Sequence, residues 1–125
     1  MPRMPFILAR SMLALLLLAF AAALPAAAAE LTFELKVERG RVAENMRLIR
    51  VKQGDVVKLR WTSDQPLVVH LHGYDIEKRV APGPAVEMTF TANATGRFPV
   101  HVHAQGASGR AHDDAPLVNV EVYPR

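Results

Sequence analysis

Between residues 31 and 123, short segments carry apolar side chains at every second residue, separated by polar and Gly/Pro-containing stretches. No helix-length window carries them at the three-and-four spacing of an amphipathic helix. A chain with that period buries one face of each extended segment, which restricts it to sheet architectures. Leu31, Phe33, Leu35 and Val37 alternate with Thr32, Glu34, Lys36 and Glu38, and Gly40 closes the run. Leu48–Val51 leads through the turn signal Gln53-Gly54-Asp55 into Val57, Leu59 and Trp61, which alternate with Lys58 and Arg60; this arrangement predicts a β-hairpin. After Ser63-Asp64-Gln65-Pro66 a strand is predicted over Leu67–Tyr74, and Pro82-Gly83-Pro84 precedes another over Ala85–Thr91, in which Val86, Met88 and Phe90 share a face. Asn93–Gly96 turns the chain into Phe98–His103, and a Gly/Ala/Asp-rich loop separates that strand from Leu117–Tyr123. The glycosylation sequon Asn93-Ala94-Thr95 is read as an ordinary turn. Roughly seven short strands with frequent turn signals predict an all-β fold, a Greek-key β-sandwich, with Trp61 and Met88 in its core.

Residues 1–29 follow a different rule. Their only charges are Arg3 and Arg10, an apolar run extends from Met12 to Leu24, and Pro25 precedes Ala26, Ala27, Ala28 and Ala29. This is the layout of a secretory signal peptide with an A-x-A cleavage site, shorter than the roughly 20 apolar residues of a bilayer span. The expected organisation is a leader over 1–29 and one domain over 30–125, periplasmic or secreted, with no membrane span in the mature chain. Without the leader, 13 Lys and Arg face 12 Asp and Glu, so the net charge falls from +3 to +1. A balanced surface of that kind excludes nucleic acid as a partner, which needs a basic stripe. The chain has no cysteine. Disulfides, thiol nucleophiles, zinc knuckles, iron–sulfur clusters and thiolate-ligated copper are therefore excluded, and no G-x-S-x-G elbow supports a hydrolase.

The chemistry is concentrated in five histidines between residues 70 and 112, four of which form the His-x-His pairs His70/His72 and His101/His103. Residues two apart in a strand project to one face, roughly 6 to 7 Å apart. If the two strands are neighbours, four imidazoles can converge on one ion. His112, with Asp113 and Asp114, lies in a loop able to close over the same end. Neutral imidazole suits Cu(II) and Zn(II), and an oxidising compartment without thiolates favours these over Cu(I). The bland alternative is a set of solvated polar residues. Phe98, Val100 and Val102 form the apolar set of their strand, so His101 and His103 face away from the core, whereas around His70 and His72 both faces are apolar. Tyr74 and Asp75 are expected to hold the end of the His72 strand, with Asp75 available to accept from an imidazole N–H. Met46, after Asn45, is considered as a thioether ligand and ranked below the histidines.

Several elements resemble those of cupredoxin-like domains. These are Gln53-Gly54-Asp55 before a strand, Val69-His70-Leu71-His72-Gly73-Tyr74, Gly96-Arg97-Phe98-Pro99-Val100, and a closing strand Val118–Val122. The resemblance implies a cupredoxin-like sandwich in which His72 matches the first copper ligand and the strands carrying the two His-x-His pairs are neighbours. It maps the family's ligating cysteine onto Val102, and the following ligand histidine onto His103 or His112; no Met follows Met88. The expected function is Cu(II) binding through His72, His70, His103, His101 and His112, with zinc as the other candidate ion, for storage, delivery or sensing rather than blue-copper electron transfer or catalysis. Two alternatives stand beside it. One is a metal-free module that docks onto a protein partner. The other is a dismutase-like enzyme, because Phe98–Gly106 is similar to the copper-binding His-x-His of Cu/Zn superoxide dismutases.

Overall fold

The alternating segments form eight strands in two sheets in a computed structural model that describes residues 27–104 and 115–125. The leader read over 1–29 lies outside the described residues up to residue 26, as do His112, Asp113 and Asp114. The strands are β1 (Glu30–Val37), β2 (Leu48–Lys52), β3 (Val56–Ser63), β4 (Leu67–Leu71), β5 (Ile76–Val80), β6 (Val86–Thr91), β7 (Gly96–Ala104) and β8 (Val118–Tyr123). A single 3-10 turn, Glu44–Met46, is the only other regular element among the described residues. None of the described helices is long and apolar enough to cross a membrane.

One sheet has the order β1-β3-β6 and the other β2-β8-β7-β4-β5. The pairs β1/β3 and β2/β8 are parallel, and the remaining pairs are antiparallel. The inward residues of the smaller sheet are Leu35, Val37, Val57, Leu59, Trp61, Met88 and Phe90. They face Ile49, Val51, Val69, Leu71, Val100, Val118 and Val120 of the larger one, all buried. The period-two reading of the strand faces therefore holds, including Trp61 and Met88 in the core. Met46 packs partly buried against the same cluster, so the core accounts for this side chain without a ligand role.

Two local expectations are corrected. Leu48–Val51 and Val57–Trp61 do not form a hairpin, because β2 pairs with β8 and β3 with β1 and β6. The Gln53-Gly54-Asp55 turn is present, but it passes the chain from one sheet to the other. Asp55 makes that crossing, 3% exposed, accepting the Lys52 backbone N–H at 2.9 Å and the Ala29 N–H at 3.0 Å; it also pairs with Arg125. The strand read over Leu67–Tyr74 also stops early, at Leu71. His72–Asp75 is a tight turn with Gly73 at φ +88° and Asp75 at φ +54°, and β5 follows it as a strand whose three middle residues, Glu77, Lys78 and Arg79, are exposed. A strand with so little apolar alternation gives no period-two signal.

Candidate metal centre

His70 on β4 lies directly opposite His101 on the adjacent antiparallel β7, Val68 lies opposite His103, and His72 follows the end of β4. The alternation then sorts the faces. Val69, Leu71 and Val100 are completely buried, and His70, His101 and His103 are half-buried on the outer side of the five-stranded sheet. His101 and His103 thus face away from the core as their apolar neighbours require, and the ambiguous His70 joins them because cross-strand partners share a face.

His72 reaches the same place by a different route. Its backbone N–H donates to the Pro99 carbonyl at 3.0 Å, one step beyond the Leu71/Val100 pair, and the chain then turns. Off the end of the strand, its ring stands 4.1 Å from that of His70, closer than two neighbours along a regular strand. It also meets the His101 ring edge-on at 5.0 Å. His70 and His103 are 6.1 Å apart. The four rings form a zigzag running from His103 through His70 and His72 to His101.

The turn that aims His72 is held by aromatic packing. A side chain at Gly73 would place its Cβ 2.4 Å from Cδ1 of Phe98, so only glycine lets the turn lie against that ring. Tyr74 packs on Phe90 and Phe98 with ring centres 4.7 and 4.8 Å away. Its hydroxyl donates to the Ala94 carbonyl at 2.9 Å and accepts from the Ala94 N–H at 3.2 Å. Tyr74 therefore does hold the end of the His72 segment. Asp75 contributes the last, positive-φ residue of the turn.

Glu77 lies beside the candidate site and is not legible in the sequence. It lies opposite His70 across β4 and β5, with Oε1 3.6 Å from His70 Nδ1. Its signal is the strand register, which no local pattern contains. Val102, the position matching the family's cysteine, faces Val69 across the strands and packs against the core. It also lines a cleft of about 550 Å³ with Arg39, Arg41 and Arg47.

Imidazoles ligated at about 2.0 Å hold their ring centres roughly 3 Å from the ion, so rings sharing one ion stand roughly 4.5 to 6 Å apart. The spacings of the zigzag fall close to that range. Among the described residues, no three His, Asp or Glu side chains are placed to hold a metal ion as they stand.

No protein-family model and no curated protein matches the chain. Solved structures do. The periplasmic domain of subunit II of cytochrome oxidase from Bradyrhizobium japonicum superposes with a TM-score of 0.58 at 16% identity, over 75% of this chain and 84% of that one. The fold is cupredoxin-like. A copper-binding protein solved by NMR in its apo form aligns with a TM-score of 0.55 at 13% identity, over 74% of this chain and 87% of that one. A multicopper oxidase from Pseudomonas thermotolerans aligns at 0.59 and 22% identity, over 79% of this chain, but the cupredoxin-like chain spans only 31% of that enzyme. In this cupredoxin-like frame β4 and β7 are neighbours, which is the adjacency that pairing the two histidine segments needed.

Proposed function

We propose that this is an exported copper protein that binds Cu(II) through His72, His70, His103 and His101, and that it stores, delivers or senses the ion without catalysis. The observation that carries this reading is the zigzag of four imidazoles, three on the adjacent strands β4 and β7 and His72 in the turn after β4, with successive ring centres 4.1 to 6.1 Å apart. Imidazole is a good Cu(II) ligand, and the absence of any thiolate argues against a blue-copper centre. The copper proteins among the structural neighbours add support. Glu77 lies across from His70 with Oε1 3.6 Å from Nδ1, close enough that a small shift of the side chain would let it accept from that nitrogen and orient a ligand imidazole. His112 is a further candidate ligand by sequence.

Calorimetric titration of the purified exported form at neutral pH is expected to show about one Cu(II) per chain, with affinity lowered at least about tenfold in His72→Ala/His103→Ala. No binding, or equal affinity in the variant, would refute the reading. Superoxide turnover by the copper-loaded protein would move it to the enzyme class. A second reading, a module that docks an anionic protein surface, is favoured by the cleft lined by Arg39, Arg41 and Arg47. It predicts partner capture that is indifferent to copper and lost when those arginines become glutamates.

A further inference from the structure

The alanine run before β1 contains two A-x-A sites, Ala26-Ala27-Ala28 and Ala27-Ala28-Ala29, which would start the mature chain at Ala29 or Glu30 respectively. The sequence pattern does not choose between them, but the structure separates the two products. Ala29 is engaged through both backbone groups, since its N–H donates to Asp55 Oδ1 at 3.0 Å and its carbonyl accepts the Val56 N–H at 2.9 Å. Asp55 itself is 3% exposed, while residues 27–30 are all exposed. Cutting after Ala29 would remove one of the donors that this buried carboxylate uses. Cutting after Ala28 keeps the donor and changes its charge.

We infer that the leader is removed between Ala28 and Ala29, and that the new α-ammonium of Ala29 forms an ion pair with the buried carboxylate of Asp55. Hydrolysis adds one water across the amide, leaving a carboxylate on Ala28 and an amine on Ala29, which is protonated at neutral pH. A neutral N–H···O bond becomes a charge-assisted one at the same position. Asp55 then joins the first mature residue, the β2–β3 crossing and Arg125 through one carboxylate. This inference rests on the leader reading of residues 1–29, and the mass of the exported protein distinguishes failure of the one from failure of the other.

The full 125-residue chain is expressed in a bacterial secretion host, and the exported form is weighed intact. A chain beginning at Ala29 is expected. A chain one alanine lighter, beginning at Glu30, overturns the inference, and an uncut chain overturns the leader reading together with it. Selective acetylation of the α-amine of the exported protein then removes the charge. It is expected to lower Tm by roughly 4 to 8 °C in the native sequence and to have little effect in Asp55→Asn. Equal shifts in the two proteins, or none in either, overturn the pairing with Asp55.

Discussion

Gly73 shows how narrowly the candidate site is held. Its φ of +88° lies in the left-handed region, and a Cβ there would meet the Phe98 ring at 2.4 Å. Both costs fall on Gly73→Ala, so a loss of roughly 2 to 4 kcal/mol is expected in urea denaturation. The displaced turn should also weaken Cu(II) binding without altering any imidazole. Tyr74→Phe makes a finer test. It removes the hydroxyl that bridges to both backbone groups of Ala94, and should cost about 1 kcal/mol in the same assay, since the aromatic packing on Phe90 and Phe98 remains. Trp61 was recognisable as core from its place in the alternation, and it is completely buried. Glu77 was not recognisable as a neighbour of the site, because an exposed glutamate in a strand of charged residues looks the same whether or not a histidine lies across from it.

Among the elements, the turn at Asp55 ties the first described residues, the β2–β3 crossing and Arg125 together through one carboxylate. Backbone N–H groups of Lys52 and Ala29, and then the Arg125 guanidinium, hold its carboxyl below the usual carboxylate range. A group with a lowered folded pKa contributes stability above its unfolded pKa and loses it as pH falls through the folded value. The protein should therefore melt at progressively lower temperature below about pH 4. Asp55→Asn should be less stable at neutral pH and show a shallower acid dependence, as checked by thermal denaturation from pH 7 to pH 2. A parallel slope in the two proteins would assign the acid sensitivity elsewhere. Glu121, on the outer face of the large sheet, is a second lowered carboxylate. The Tyr123 hydroxyl donates to it at 2.6 Å, and Arg50 and Arg97 flank it, so its carboxyl is lowered as well.

At the scale of the whole molecule, the cohesion comes from two apolar inner faces, and the four described histidines sit outside them. The fold is therefore expected to survive metal removal. Chelator treatment should leave the circular-dichroism spectrum of the purified protein unchanged. Cu(II) at about 100 times its dissociation constant should add up to roughly 2.7 kcal/mol of stability, less whatever the histidines of the unfolded chain bind. His72→Ala/His103→Ala should fold normally and show a gain smaller by roughly 1.3 kcal/mol or more at the same Cu(II) concentration.

Local pattern by itself determined the faces of most strands, the core positions of Trp61 and Met88, the two His-x-His pairs and the exclusion of thiolate chemistry. A pleated strand repeats every two residues, so its burial is written into adjacent positions. Only the tertiary structure decided that β2 and β3 belong to different sheets, that β4 ends before His72, and that Glu77 faces His70. Sheet membership and register are set by partners tens of residues away, as with Val51 and Val122, and they depend on how two whole faces fit together. The same reason explains the histidines. Their number and spacing are local facts, but their meeting on one outer face depends on β4 and β7 being neighbours in a register that puts His70 opposite His101.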